Sequence, residues 1–210
     1  MLMRRLAIFF AGICFATFTL SADSSRFAGK VVLELIDSIE FDHKLMLVSD
    51  FGYQDAQGKL WLVPKGEIID GYSIPPQLQP LIASPSVAEY RKASVVHDAF
   101  SRRKTEPWRE VDRMFYAAIL TEGLSAGEAR LLYMAVYAGG WRWEPRGSSC
   151  YKSCHAGAAL LSWQPDVTLS ELAPVVDWLQ QGDPSLEEIE KRVDAAVKRP
   201  GPHVFAQVRQ

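Results

Sequence analysis

His97 and Asp98 are adjacent, Asp112 follows fifteen positions after the histidine, and Asp70 stands in the run Ile69-Asp-Gly-Tyr-Ser-Ile-Pro75. These residue types supply acid–base and ligand chemistry. An imidazole takes a proton from water, one carboxylate fixes its tautomer, and further carboxylates hold a cation. Placement sharpens the reading. His97 lies on a helical stripe with Val87, Tyr90 and Ser94, and Asp112 on another with Trp108, Val111, Phe115, Ala118 and Ile119. Burying either group alone costs on the order of several kcal/mol, so the two should satisfy one another across a groove between packed helices, or meet a bound ion. His97 is then the base and Asp112 its orienter. Helical neighbours diverge by about 100°, so Asp98 would point to a separate loop. That loop is Asp70–Pro75, where Gly71 admits close backbone approach and Tyr72 and Ser73 add oxygens. Asp98 and Asp70 would there hold calcium or another hard divalent cation. The opposite reading makes the same residues hydrogen-bonded struts and the loop an Asx-type turn before Pro75. A hydrolytic site requires His97, Asp98 and Asp112 to converge on a solvent-reachable, apolar-lined cleft; struts require a closed cluster.

The elements that must position these residues are well punctuated. Val31–Phe41, Lys44–Ser49 and Lys59–Val63 alternate apolar and polar residues and read as strands. Asp55-Ala-Gln-Gly58 supplies turn geometry, so Leu45–Val48 is expected to pair with Leu60–Val63 as a hairpin. Pro64-Lys-Gly66 turns the chain again into a short strand at Glu67–Ile69. Ser84-Pro85-Ser86-x-x-Glu89 opens a helix that runs to Arg103. Thr105 and Pro107 open a second, closed by Gly123, and the Ser125-x-x-Glu128 box opens a third, ending at Gly139-Gly140. Two more helices are expected near Leu169–Gln181 and Ser185–Lys198. The fold class is α+β: an N-terminal antiparallel hairpin or small sheet against three antiparallel helices, with a mostly helical C-terminal extension. The organisation reads as residues 1–22, a core over 23–143, and an extension over 144–210.

Four ordered motifs carry a resemblance. Leu62-Val-Pro64-Lys-Gly66-Glu-Ile-Ile-Asp70-Gly-Tyr-Ser73-Ile-Pro75 is followed by Tyr90-Arg-Lys-Ala93 leading to Val96-His97-Asp98. Arg109-Glu-Val-Asp112-Arg-Met-Phe115 and Leu132-Tyr133-Met-Ala-Val136-Tyr-Ala-Gly139-Gly140 complete the set. Over about residues 45–141 the chain resembles the bacterial and phage domain-of-unknown-function 1353 family, a resemblance that implies shared fold more than any activity. A fainter one, His-Asp on one helix and Asp with an aromatic residue three positions on in the next, is similar to the small secreted phospholipases A2. It implies His97 activating water, Asp98 and the loop near Gly71 holding calcium, and Asp112 orienting His97. Ser101 stands where that family commonly has tyrosine, and its His-to-Asp spacing is usually longer. Lipid or another envelope ester or amide would be the substrate.

Composition limits the alternatives. With 23 basic and 25 acidic residues, net charge −2, the chain lacks the positive field of a nucleic-acid reader. Its 48% hydrophobic and 23% charged residues can build a sizeable core. Arg4 and Arg5 precede the uncharged, apolar Leu6–Leu20, which ends in Ser21-Ala22-Asp23-Ser-Ser25. That is an export signal, too short to span a bilayer, so a periplasmic or secreted protein without a transmembrane span in its mature form is expected. An uncleaved anchor is the other reading. Cys150 and Cys154, in a Gly/Ser-flanked loop of an exported chain, read as a small-loop disulfide; a metal site with His155 is the alternative. Trp61, Trp108, Trp141 and Trp143 are expected to be core aromatics more than a membrane-facing rim. Arg102-Arg-Lys104 reads as a solvated helix end that complements the macrodipole, not as a phosphate clamp.

Overall fold

The computed structural model describes residues 24–36, 44–69, 71, 73–82, 86, 88–145 and 160–197. In chain order they form β1 (Arg26–Ala28), β2 (Leu33–Ile36), β3 (Lys44–Leu47), β4 (Phe51–Gln54), β5 (Leu60–Val63), β6 (Ile68–Ile69) and a 3-10 helix (Pro76–Leu81). Then come α1 (Arg91–Arg103), α2 (Trp108–Glu122), α3 (Ala126–Gly139), β7 (Arg142–Pro145), β8 (Leu160–Trp163), α4 (Leu169–Leu179) and α5 (Leu186–Ala196). This is the expected α+β architecture. The expected export signal at residues 1–22 and the cysteines Cys150 and Cys154 lie outside the described residues.

The hairpin falls elsewhere than the sequence suggests. β5 pairs with β4, Phe51 opposite Val63, while β3 lies between β2 and β6, so Leu45–Val48 and Leu60–Val63 belong to two different sheets. Sheet orders are β1-β4-β5 and β2-β3-β6, with all described pairs antiparallel. The strand missed is Phe51-Gly-Tyr-Gln54, whose first three residues are all buried, so its sequence lacks the alternation of a half-exposed strand. The Asp55–Gly58 turn is real but closes β4 onto β5. Asp55 accepts from the backbone N–H of Gln57 and Lys59 and from Trp61 Nε1 at 2.9–3.0 Å. The Pro64–Gly66 turn then hands the chain to the second sheet, Gly66 N–H donating to the Leu47 carbonyl at 2.7 Å.

Helix α1 is central. Every side chain from Ala93 to Phe100 is buried, because the helix packs on both sheets and on α2. It starts later than the Ser84–Glu89 signal: Ser86 and Glu89 close a turn before it, Ser86 N–H donating to Glu89 Oε2 at 2.6 Å. The N–H groups of Lys92 and Ala93 donate instead to Glu122, at the end of α2, at 3.1 Å each. Helix α2 closes on Gly123 at φ 106, and α3 opens with the expected reciprocal Ser125–Glu128 bonds. Gly139 lies where a Cβ would stand 2.9 Å from Leu78, so α3 meets the 3-10 helix only through a bare backbone.

The chain beyond Trp143 shares the same hydrophobic core, through Leu172, Val175, Ile189 and Val193. It begins with a second hairpin, β7 on β8, that periodicity did not suggest. Among the described residues no helix is long and apolar enough to cross a membrane. Trp61, Trp108 and Trp143 are core residues, whereas Trp141 is half exposed. Glu190 of α5 ties the extension to the core: Oε1 accepts from the buried Tyr133 hydroxyl at 2.6 Å and from Arg113 at 2.7 and 3.0 Å. Glu190→Ala should lower unfolding free energy by about 1–3 kcal/mol, since it strands the buried Tyr133 hydroxyl, while Arg113 keeps Glu187 at 2.9 Å. Urea denaturation measures this; a change below about 0.5 kcal/mol, the scatter of ordinary surface substitutions, would show that the contact is ornamental.

Candidate functional site

His97 sits in the middle of α1, one ring face against Phe115 of α2 at 4.7 Å between centroids. Asp112, one turn before Phe115, meets it across the helix interface: Nε2 and Oδ1 are 3.1 Å apart. Both side chains are about 5% exposed or less. An ionised carboxylate only accepts, so Nε2 carries the hydrogen and donates it, which leaves Nδ1 as the free position of the neutral ring. Nδ1 has no hydrogen-bond partner although it is buried. The nearest carboxylate to it is Asp98, whose Oδ1 is 3.9 Å away, beyond hydrogen-bond range.

Asp98 holds the loop that precedes the 3-10 helix. Its Oδ2 accepts from the Gly71 N–H at 3.1 Å and its Oδ1 from the Ser73 hydroxyl at 2.6 Å. Gly71 has φ 74, a left-handed conformation that glycine adopts without strain and that aims its N–H at the carboxylate. The structure therefore brings together His97, Asp98, Asp112, Gly71 and Ser73. Asp70 and Tyr72 lie outside the described residues. Among those described, no group of three or more His, Cys, Asp or Glu side chains is gathered to hold a metal ion. Asp98, with both oxygens already accepting, falls far short of the six to eight oxygens that calcium takes. The described donors do not fit such an ion.

A cleft of about 510 Å³ opens beside the pair, with His97 and Asp98 in its wall and Pro75, Pro76 and Trp141 among its apolar contributors. Asp112 does not line it and stands behind His97. The lining is mixed, apolar and charged. Lys44, Arg102 and Lys104 also face the cleft, because the end of α1 and the start of β3 meet there. The Arg102–Lys104 run is thus more than a solvated helix end. Gln164, just after β8, completes the wall, so the extension contributes to the site. Sequence reasoning missed Lys44, Arg102, Lys104, Trp141 and Gln164. Only Arg102 carried a signal, lying one helical turn from Asp98.

The electrostatics favour a proton on the pair. Burial alone pulls His97 down, but the hydrogen bond to Asp112, then Asp98 and the two carboxylate charges, push its pKa up to about 9. Burial raises the Asp112 pKa as well, opposed by its bond to His97 and by the Arg142 charge. Arg142 is itself buried over the ring of Trp108, 4.7 Å from its centroid.

The chain spans less than half the length of two curated relatives that it matches. The Sinorhizobium fredii (strain NBRC 101917 / NGR234) protein "Uncharacterized protein y4iH" is 46% identical over 101 residues, 48% of this chain and 42% of its own length. "Uncharacterized protein y4jT" of the same organism is 37% identical over 97 residues, 46% of this chain and 29% of its own. No solved structure matches the chain. Residues 45–136, which hold His97, Asp98 and Asp112 and bear the ordered motifs, match the family described as Protein of unknown function (DUF1353).

Proposed function

We propose that the cleft is a hydrolytic site in which His97 is the proton-transfer group and Asp112 its orienter. The observation that carries this is the divided state of the imidazole: Nε2 is held by a buried carboxylate, while Nδ1 is unpartnered in a ring that lines a cleft. A strut would stand in a closed cluster with no cavity beside the ring. In its neutral form His97 takes a proton from water at Nδ1 as the water attacks an ester or amide carbonyl held in the cleft; the adduct then breaks its bond to the alcohol or amine, which leaves with the proton returned from Nδ1. Asp98 acts through the loop, keeping Gly71 and Ser73 in place on that wall. No step is assigned to a metal ion. The test is a panel of chromogenic esters and amides with wild-type protein and His97→Asn. Turnover lost in the variant supports the proposal, and turnover retained in full removes His97 as base.

One specific observation favours the alternative, a non-catalytic envelope or phage-derived interaction protein. Both Asp98 oxygens serve neighbouring donors, as they would in a cluster that merely fixes helix packing. Absence of turnover with every member of the panel would favour it. Export to the periplasm or beyond is part of the proposal and rests on Arg4, Arg5 and Leu6–Leu20. Cell fractionation with amino-terminal sequencing of the recovered protein tests it.

A further inference from the structure

Two cations, Arg102 and Lys104, line the cleft together with the carboxylate of Asp98, whose oxygens already serve Gly71 and Ser73. Two neighbouring cations are matched. Arg103 lies 3.8 Å from Glu67 and donates to the Leu62 carbonyl, and Lys59 lies 2.8 Å from Glu106. Arg102 and Lys104 form no ion pair among the described residues.

Lys104 is unusual in a second way. It closes α1 at φ 54, the one non-glycine residue with positive φ among those described, whereas α2 closes on glycine. A strained helix end that keeps a lysine points to a use for the side chain. That use is not complementing the helix dipole, which would aim the ammonium back at the last carbonyls. Nζ instead donates to Ser162 of β8 at 2.7 Å and lies 5.5 Å from the Trp141 ring, so the ammonium is fixed at the cleft. Trp141 is 51% exposed on the same wall, a flat apolar surface beside fixed positive charge.

We infer that this cleft binds a phosphate ester, its phosphoryl oxygens against Lys104 and Arg102 and its organic group against Trp141. Two adjacent cations suit a dianionic oxyanion, and a guanidinium meets phosphate with two parallel bonds. Their charge also concentrates anions at the mouth. A volume of about 510 Å³ has room for a small organic molecule beside the phosphate. This rests on reading the same cleft as the substrate site, and it names the substrate class.

Calorimetric titration of the full chain with inorganic phosphate, phenyl phosphate and benzoate at low salt tests the inference without turnover. Phosphate and phenyl phosphate should bind saturably. Arg102→Gln and Lys104→Gln should each weaken both by about tenfold or more. Arg102 is exposed, so its variant folds even if the Lys104 variant does not. Arg103→Gln, outside the cleft, should leave affinity unchanged, and Trp141→Ala should weaken phenyl phosphate but not phosphate. Vesicles of phosphatidylglycerol separate the sources: binding that phosphate competes away identifies a lipid headgroup, and no vesicle binding identifies a soluble ester. No saturable phosphate binding up to about 10 mM, equal affinity in the Arg102 variant, or benzoate binding as well as phenyl phosphate would each overturn it. Phosphate binding without turnover on any substrate would sink the hydrolase and leave this inference standing. Turnover without phosphate binding would do the reverse.

Discussion

Asp112→Ala is expected to lower unfolding free energy by about 3–5 kcal/mol near neutral pH, the size of effect seen when one partner of a buried pair is removed. The imidazole it leaves behind is about 5% exposed and packed on Phe115, with no other group within hydrogen-bond reach of Nε2. The pH dependence should weaken as well. In the wild type, the folded pKa of His97, about 9, exceeds its unfolded value of 6.5. Its contribution is therefore fully present below pH 6.5 and is lost as pH rises through about 9. That rise corresponds to on the order of 3 kcal/mol across the window. Asp112, also raised, acts in the same sense, since its ionised form is the one that burial disfavours. In the variant Asp98 alone is left to oppose burial, so the His97 pKa falls from about 9. The loss of stability between neutral pH and pH 9 should then shrink. Urea unfolding at pH 5, 7 and 9 measures both effects. A loss under about 1 kcal/mol, or a variant that tracks the wild-type pH trend, would mean that the contact does not hold the two helices together. Asp112→Asn, which keeps the shape and one acceptor oxygen, separates the charge from the lost volume.

The elements that carry the chemistry were the most legible parts of the chain. Pro107, Gly123, Ser125 and Glu128 act locally, through fixed φ, positive φ and side-chain caps, so the ends of α2 and α3 stand where these residues place them. The polar residues on apolar stripes were equally informative, because a buried imidazole and a buried carboxylate must find partners. His97 and Asp112 did so. Strand pairing was not legible. β4 is buried along most of its length and hides its period, and without it β5 was assigned to the wrong neighbour. The start of α1 was obscured because its N–H groups are capped by Glu122, about thirty positions away, a contact that no local pattern announces.

The cleft was the least legible feature, for a related reason. Lys44, Lys104, Trp141 and Gln164 come from β3, the end of α1, the approach to β7 and the exit from β8, and only tertiary packing gathers them. Read along the sequence, each is an ordinary surface residue. Placed together, they put positive charge and an aromatic face beside His97.

On any substrate that the panel yields, kcat/KM of the wild type is expected to climb about tenfold per pH unit through neutral pH and to level off near 9. The base form of His97 is the minor form at neutral pH, because the bond to Asp112 and the neighbouring Asp98 outweigh burial. The same carboxylate that orients the ring thus holds it back at neutral pH, and the span amounts to roughly two orders of magnitude in rate. His97→Asn should lower the plateau by about 10²–10⁴-fold and abolish the rise. Asp112→Asn distinguishes an orienter from a brace. Without the carboxylate charge the inflection should move down, so the variant loses rate at pH 9 by misorienting the ring while losing proportionately less at pH 7. A residue that merely braces the helices would lower the rate by one factor at every pH and leave the inflection where it was. An activity that falls, not rises, between pH 7 and 9 would assign His97 the opposite role, proton donor to a leaving group, with Nδ1–H in place of the lone pair at the cleft wall.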